Sequence, residues 1–258
     1  MNPSTQERPF TNQDQARPDG LLVDWIDDKP VLLDFEAGRL SSDGGILLVG
    51  PVDGHRGLTQ AMASVLHDER DAKRIRHSMI DLLRQRVFQI AAGYEDQDDS
   101  DHLRSDPIFK MLLGRAPETG ADLASQPTMS RFENGVTRQE LDQLAEVFVE
   151  DFIGSYAEAP SVIVLDFDDT SDLVHGKQEQ ARFNTHVGDH CFMPLHVYEG
   201  LSGRLIMTLL KPTLLKGIDL LPIVRRLFSR LREAWPETEI IFRGDRGDVS
   251  SPISRSPK

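Results

Sequence analysis

The 258-residue chain carries 42 acidic and 29 basic side chains, a formal net charge of −13. That balance excludes a protein that coats nucleic acid over its whole surface, so any such contact must come from local basic patches. A single cysteine, Cys191, excludes an internal disulfide, and no apolar run has the length of a membrane span or the order of a signal peptide.

Residues 1–20 are polar, hold three prolines and show no hydrophobic period; the segment up to residue 30 reads as a disordered arm. Residues 31–35 read as a short strand, 41–45 as a turn and 46–49 as a short apolar run. From residue 58 to 156 the pattern is helical. Ile75, Met79, Leu82, Leu83, Val87 and Ile90 fall on one face, and Gly93 suits the stop. Arg70, Lys73, Arg74, Arg76, His77, Arg84 and Arg86 occupy the other faces. Asp68, Glu69, Asp71 and Asp81 dilute them, so by themselves they read as a solvated surface.

The acidic run 95–101 lacks the spacing and glycine turn of a calcium loop and reads as a connector. Residues 102–113 form a helix interrupted by Pro107. Ser125 caps a further helix, with Pro127 in its first turn and Arg131 on its surface. Thr137 and Glu140 have the spacing of a capping box, followed by an apolar stripe of Leu141, Leu144, Ala145, Phe148 and Phe152. Residues 157–160 mark a boundary between a helical region (31–158) and a second region (159–245).

The second region opens on a β-branched, apolar strand, 162–167, that runs into Asp166, Asp168 and Asp169. Strand side chains alternate, so Asp166 and Asp168 share a face and Asp169 takes the other. Residues 171–189 are polar and irregular. Residues 191–198 read as a second strand, 199–203 as a hairpin turn and 204–210 as a third strand. Residues 216–235 are an amphipathic helix with Leu220, Val224, Leu227 and Leu231 as its stripe and Pro222 in its first turn. Arg225, Arg226, Arg230 and Arg232 lie away from the stripe. Residues 239–245 make a fourth strand ending in Asp245. The fold class is therefore α/β: a helical N-terminal region, then an incomplete ribonuclease H-like mixed sheet in the order strand-strand-strand-helix-strand. In that arrangement the first and fourth strands are neighbours, and Asp168 and Asp245 meet at one end of the sheet. Two such carboxylates suit divalent cations in phosphoryl transfer.

Five stretches carry a resemblance: DLLRQRVFQIAAGYEDQDDSDHLRSDPIF, LASQPTMSRFEN, LDFDDTSDLVHGKQE, CFMPLHVYEG and the helix leading to RGD at Asp245. In this order they resemble DDE-type insertion-sequence transposases of DDE group 1, closest to insertion-sequence family thirteen-eighty. The resemblance implies cut-and-paste transposition of a bacterial mobile element in the cytoplasm, at the nucleoid. It implies a DNA-binding helical region that recognises terminal inverted repeats, target DNA as a second partner, a homodimer on DNA, and Mg²⁺ as cofactor, with Mn²⁺ able to replace it. Asp168 and Asp245 become the catalytic, metal-holding acids, with Asp166 as a further metal ligand. Arg74, Arg76, Arg84, Arg86, Arg131 and Lys177 become DNA contacts. The third acid of such sites has no counterpart before the tail 246–258, which reads as out-of-frame; a truncated, inactive copy is the expectation.

Two other readings compete. VIVLDFDDT also fits the first motif of haloacid-dehalogenase-type phosphatases, with Asp166 as nucleophile and Asp168 as acid/base. A non-catalytic chain that binds the repeats and inhibits full-length transposase is the other. His175, His186, His190 and Cys191 match no standard zinc spacing.

Overall fold

The computed structural model describes residues 41–174, 176, 178–179, 181–211 and 217–244, the side chains of the last segment from residue 220. It also describes the backbone of a hairpin formed by strands β1 (Leu21–Ile26) and β2 (Lys29–Leu33). The two strands pair antiparallel with an irregularity between Leu22 and Asp24. Part of the expected disordered arm is thus a strand. Residues 1–20 and the tail 246–258 lie outside the described residues. The chain divides into two compact units, one of residues up to Ala63 with Asp68–Gly135, the other of Ser64–His67 with the residues from Val136.

The first described helices are α1 (Val49–Arg56), which ends on left-handed Gly57, and α2 (Leu58–Ser64). The longest helix of the first unit is α3 (Met79–Ala91), started by a capping box between Ser78 and Asp81. Its buried face is Leu82, Leu83, Gln85, Phe88 and Gln89. This corrects the expected stripe: Ile75 precedes the helix, and Ile90 is 49% exposed. Two glutamines stand in the core in place of aliphatic residues: both polar atoms of the Gln85 amide are bonded, whereas Gln89 is bonded through Oε1 and its Nε2 has no partner among the described residues. Gln85 Nε2 donates to Ala124 O and its Oε1 accepts from Ala124 N, both at 2.8 Å, and Gln89 Oε1 accepts from the buried Ser100 hydroxyl.

The expected break at Pro107 is present. Short helix α4 (Ser100–Leu103) is followed by α5 (Pro107–Leu112), whose first turn is capped by the Asp106 carboxylate accepting from Ile108 N and Phe109 N. The acidic connector is ordered in part: Asp101 accepts from Gln126 N at the start of α6 (Gln126–Gly135). Ile46, Phe88, Leu103, Phe109 and Leu123 form an apolar cluster in this unit.

The second unit begins with α7 (Arg138–Gly154). The capping box at Thr137 and Glu140 is formed as expected, and Glu140 Oε1 also accepts from His67 N at 2.6 Å. Val149 and Phe152 of α7 lie in the core beneath the sheet, so this helix belongs with the sheet rather than with the helices before it.

Strand β3 (Val162–Asp169) runs two residues beyond the expected 162–167, so it includes Asp168 and Asp169 as well as Asp166. Residues 171–189, expected to be irregular, contribute to a separate three-stranded sheet, β4 (Asp172–Leu173), β5 (Arg182–Asn184) and β6 (Asp189–Phe192), ordered β4-β6-β5. The single strand expected over 191–198 is two strands in different sheets. Met193 and Pro194 interrupt it, since Pro194 has no N–H to continue a ladder, and β7 (Leu195–Glu199) starts afresh.

From β7 the chain turns into β8 (Arg204–Leu209), crosses over through α8 (Gly217–Ala234) and returns as β9 (Glu239–Gly244). Pro222 stands inside α8 rather than at its start. The main sheet is ordered β8-β7-β3-β9. Strand β7 is antiparallel to β3, and β9 is parallel to it, so the first and fourth main strands are neighbours as expected. Leu220, Leu227, Leu231 and Trp235 of α8 pack with Ile163, Leu165, Phe167, Leu195 and Val197 of the sheet. Arg230 pairs with Glu150 of α7 at 2.5 Å and Arg226 pairs with Glu146, which places these arginines away from the core stripe.

Candidate active site on the four-stranded sheet

Alternation along β3 sorts its residues. Ile163, Leu165 and Phe167 enter the core below α7 and α8, while Asp166 and Asp168 emerge on the opposite face. Phe167 stacks on Phe242 with ring centroids 6.0 Å apart, and Phe242 lies 5.8 Å from Phe228 of α8. This aromatic column seats β9 against β3 directly beneath the acids. Strand β9 keeps parallel register with β3 from Val162 opposite Glu239 to Phe167 opposite Gly244. Asp245, next in the chain, lies outside the described residues.

The three acids have three different surroundings. Asp169, half-buried, pairs with the Lys211 ammonium at 2.5 Å, and Lys211 is itself buried. Asp166 is clamped by Arg243, which donates from Nε to Oδ1 at 2.5 Å and from Nη2 to Oδ2. Hydrogen bonding to Asp166, reinforced by its charge, holds the Arg243 pKa above its ordinary value. Asp168 is exposed and has no hydrogen-bond or ion-pair partner among the described residues. Its cross-strand neighbour is His196, whose Nδ1 is 2.9 Å from the Thr208 hydroxyl on β8.

Glu199 and Gly200 shape the turn beside these acids. Glu199 is 1% exposed, and its carboxylate accepts from Val164 N, Leu201 N and Ser202 N. Burial opposes its charge, but hydrogen bonds from Ser202, Val164 and Leu201 outweigh that and hold its pKa below the ordinary value. Gly200 passes so near the Asp166–Arg243 pair that a Cβ there would sit 2.6 Å from Asp166 Oδ2 and 2.9 Å from Arg243 Nη2.

The expected DNA contacts also separate. Arg84 is turned inward, donating to the Thr59 hydroxyl at 3.0 Å with Asp53 at 3.3 Å. Arg86 is 14% exposed, pairs with Glu133 and donates to the carbonyls of Tyr94 and Glu95. Both act as internal braces. Arg74, Arg76 and Arg131 remain at the surface, Arg74 with only a 3.7 Å approach to Asp71. Lys177 and His175 lie outside the described residues. Arg243, Gly200, Glu199 and Lys211 were missed in the sequence. The signal for Arg243 was its parity: a charged residue in a strand, two residues before Asp245.

Among the described residues no group of three or more His, Cys, Asp or Glu is placed to hold a metal ion. No helix among them is long and apolar enough to cross a membrane.

A helical unit is followed by a mixed sheet whose fourth main strand runs parallel to the first, with Asp166 and Asp168 on one face. The family described as Transposase DDE domain group 1 matches residues 23–255, and the chain belongs to it. No curated protein and no solved structure gives a significant match.

Proposed function

We propose that the chain is an insertion-sequence transposase of the kind that insertion-sequence family thirteen-eighty represents. It binds terminal inverted repeats as a homodimer and uses a ribonuclease H-like core for Mg²⁺-dependent DNA cleavage and strand transfer. The observation that supports this reading is the parallel register of β9 on β3, which runs to Phe167 opposite Gly244; Asp168 and Asp245 are the residues that follow these two in the sequence.

Magnesium takes hard oxygen ligands, often one or two carboxylates, with water and phosphate oxygens completing its shell. The carboxylate of Asp168, without a partner among the described residues and on a strand braced by the aromatic column, fits such a role, and Asp245 is its proposed partner; Mn²⁺ would use the same donors. Asp166 is left out of this set because Arg243 already occupies both its oxygens. When bound, the metal supplies Lewis-acid activation of an attacking oxygen and stabilisation of the leaving one. The chain's own part is to present carboxylate oxygens from a strand held in place by the sheet. In the helical unit, Arg74, Arg76 and Arg131 are the proposed backbone contacts.

The antiparallel β7–β8 hairpin beside β3, and the arginine clamp on Asp166, weigh against the phosphatase reading. The test is a gel shift of the full chain on duplexes from the ends of its element, against scrambled duplexes, joined to Mn²⁺ binding followed by paramagnetic resonance. Preference for the true ends, and Mn²⁺ binding weakened about tenfold or more by Asp168→Asn, are the expected results. Equal binding to scrambled DNA together with unchanged Mn²⁺ affinity would overturn the proposal.

A further inference from the structure

Three observations meet at Arg243. Its guanidinium forms a two-point pair with Asp166, yet its side chain is 66% exposed while that of Asp166 is 25% exposed. It lies on the face of the sheet that carries Asp168, because Arg243 is the register partner of Asp166. Asp166 and Asp168 are two residues apart on one strand, about 7 Å. And the wall behind the pair is Gly200, where no side chain could be accommodated without moving the ion pair.

An arginine has five N–H donors in a planar fork. The pair with Asp166 uses Nε–H and one hydrogen of Nη2. The three remaining donors, two on Nη1 and one on Nη2, point away from the carboxylate. A fork fixed on one edge and open on the other is preorganised for a second oxyanion, since the conformational entropy of the long side chain has already been lost.

From this we infer that Arg243 is a phosphodiester-binding residue: its free edge takes a backbone phosphate of the DNA strand lying over Asp168, and Asp166 is the positioning residue that aims it. This rests on the proposed reading of the site as a DNA-processing one. It gives Asp166 a role other than metal ligation. It also accounts for an exposed cation on an otherwise acidic strand end.

The test is the salt dependence of binding by the full chain to its own terminal duplex, read by fluorescence anisotropy from about 50 to 200 mM salt. Each phosphate neutralised contributes about −0.9 to the slope of log K against log salt. Arg243→Ala should reduce the slope by about 0.9. Asp166→Asn should retain the slope but weaken binding at every salt concentration, because the guanidinium keeps its charge and loses its aim. Arg243→Lys, which cannot hold both oxyanions through a fork, should keep the slope with weaker binding; it serves if Arg243→Ala does not fold. Wild-type slope and affinity in both Arg243 variants would reduce the arginine to an inter-strand brace and overturn the inference. If the wild-type chain shows no salt-dependent binding, the failure belongs to the proposed function instead.

Discussion

Gln85 grips the backbone of Ala124 from both sides, donating to its carbonyl and accepting from its amide at 2.8 Å each, in a region where Gln85 is 1% exposed. The side-chain amide does for the segment before α6 what a neighbouring strand would do. Replacing it by leucine would leave a buried N–H and a buried C=O without partners, each costing about 1–3 kcal/mol. Gln85→Leu should therefore destabilise the helical unit by about 3 kcal/mol despite its greater hydrophobicity. Chemical denaturation monitored by circular dichroism checks this; a stability equal to or above wild type would show that the clasp is dispensable.

Glu140 couples stability to pH. Hydrogen bonds from the Thr137 hydroxyl, His67 N and Thr137 N lower its pKa from 4.5 to about 2. A carboxylate depressed in the folded state contributes stability that is fully present above its unfolded pKa and is lost as pH falls through the folded one. The window here runs from about 4.5 down to about 2. Melting temperatures of wild type and Glu140→Gln should converge across that window and differ most at neutral pH. A gap that stays constant from pH 7 to pH 2 would assign the effect to packing rather than ionisation.

The sequence was most legible where one physical rule acted alone. The stripe on α8 and the capping box of α7 were readable because an amphipathic period and a cap spacing are local signals. The neighbourhood of β3 and β9 was readable from element order. What escaped was set by partners distant in sequence. Nothing local marks Gln85 and Gln89 as buried; their bonds to Ala124 and Ser100 come from outside their own helix. Arg84 and Arg86 read as a solvated face, and as DNA contacts only by the resemblance; their pairing with Asp53 and Glu133 depends on residues far off in sequence. The small sheet β4-β6-β5 was invisible because its strands are short and half-polar, and the apolar residues on both sides of Pro194 masked the break it makes.

The acids of β3 should separate by stability before any activity is measured. Asp169 faces a buried ammonium, and removing one partner of a buried pair costs about 3–5 kcal/mol. Asp168 has no partner to lose among the described residues. Asp169→Asn should therefore lower stability by about 3 kcal/mol, while Asp168→Asn should stay within about 0.5 kcal/mol of wild type. The double change Asp169→Leu with Lys211→Met should recover most of the loss, as an apolar pair can replace an ionic one of similar volume. Denaturant midpoints decide the matter: equal losses for Asp168→Asn and Asp169→Asn would contradict the distinction.

Gly200 offers a way to disturb the Asp166–Arg243 pair without deleting either charge. The atoms that a methyl group would strike are the ends of two side chains, Asp166 Oδ2 and Arg243 Nη2, and no main-chain atom lies among them. Such ends can swing aside, so Gly200→Ala should fold, with a stability loss of about 1 kcal/mol, typical of a point substitution. The two-point geometry cannot survive the swing, however, because both contacts share the plane of the guanidinium. A double-mutant cycle isolates this coupling. Asp166→Ala should cost at least about 0.5 kcal/mol less in the Gly200→Ala background than in wild type. An unchanged cost would mean that the pair tolerates the methyl group and that Gly200 is there for the β7–β8 turn alone.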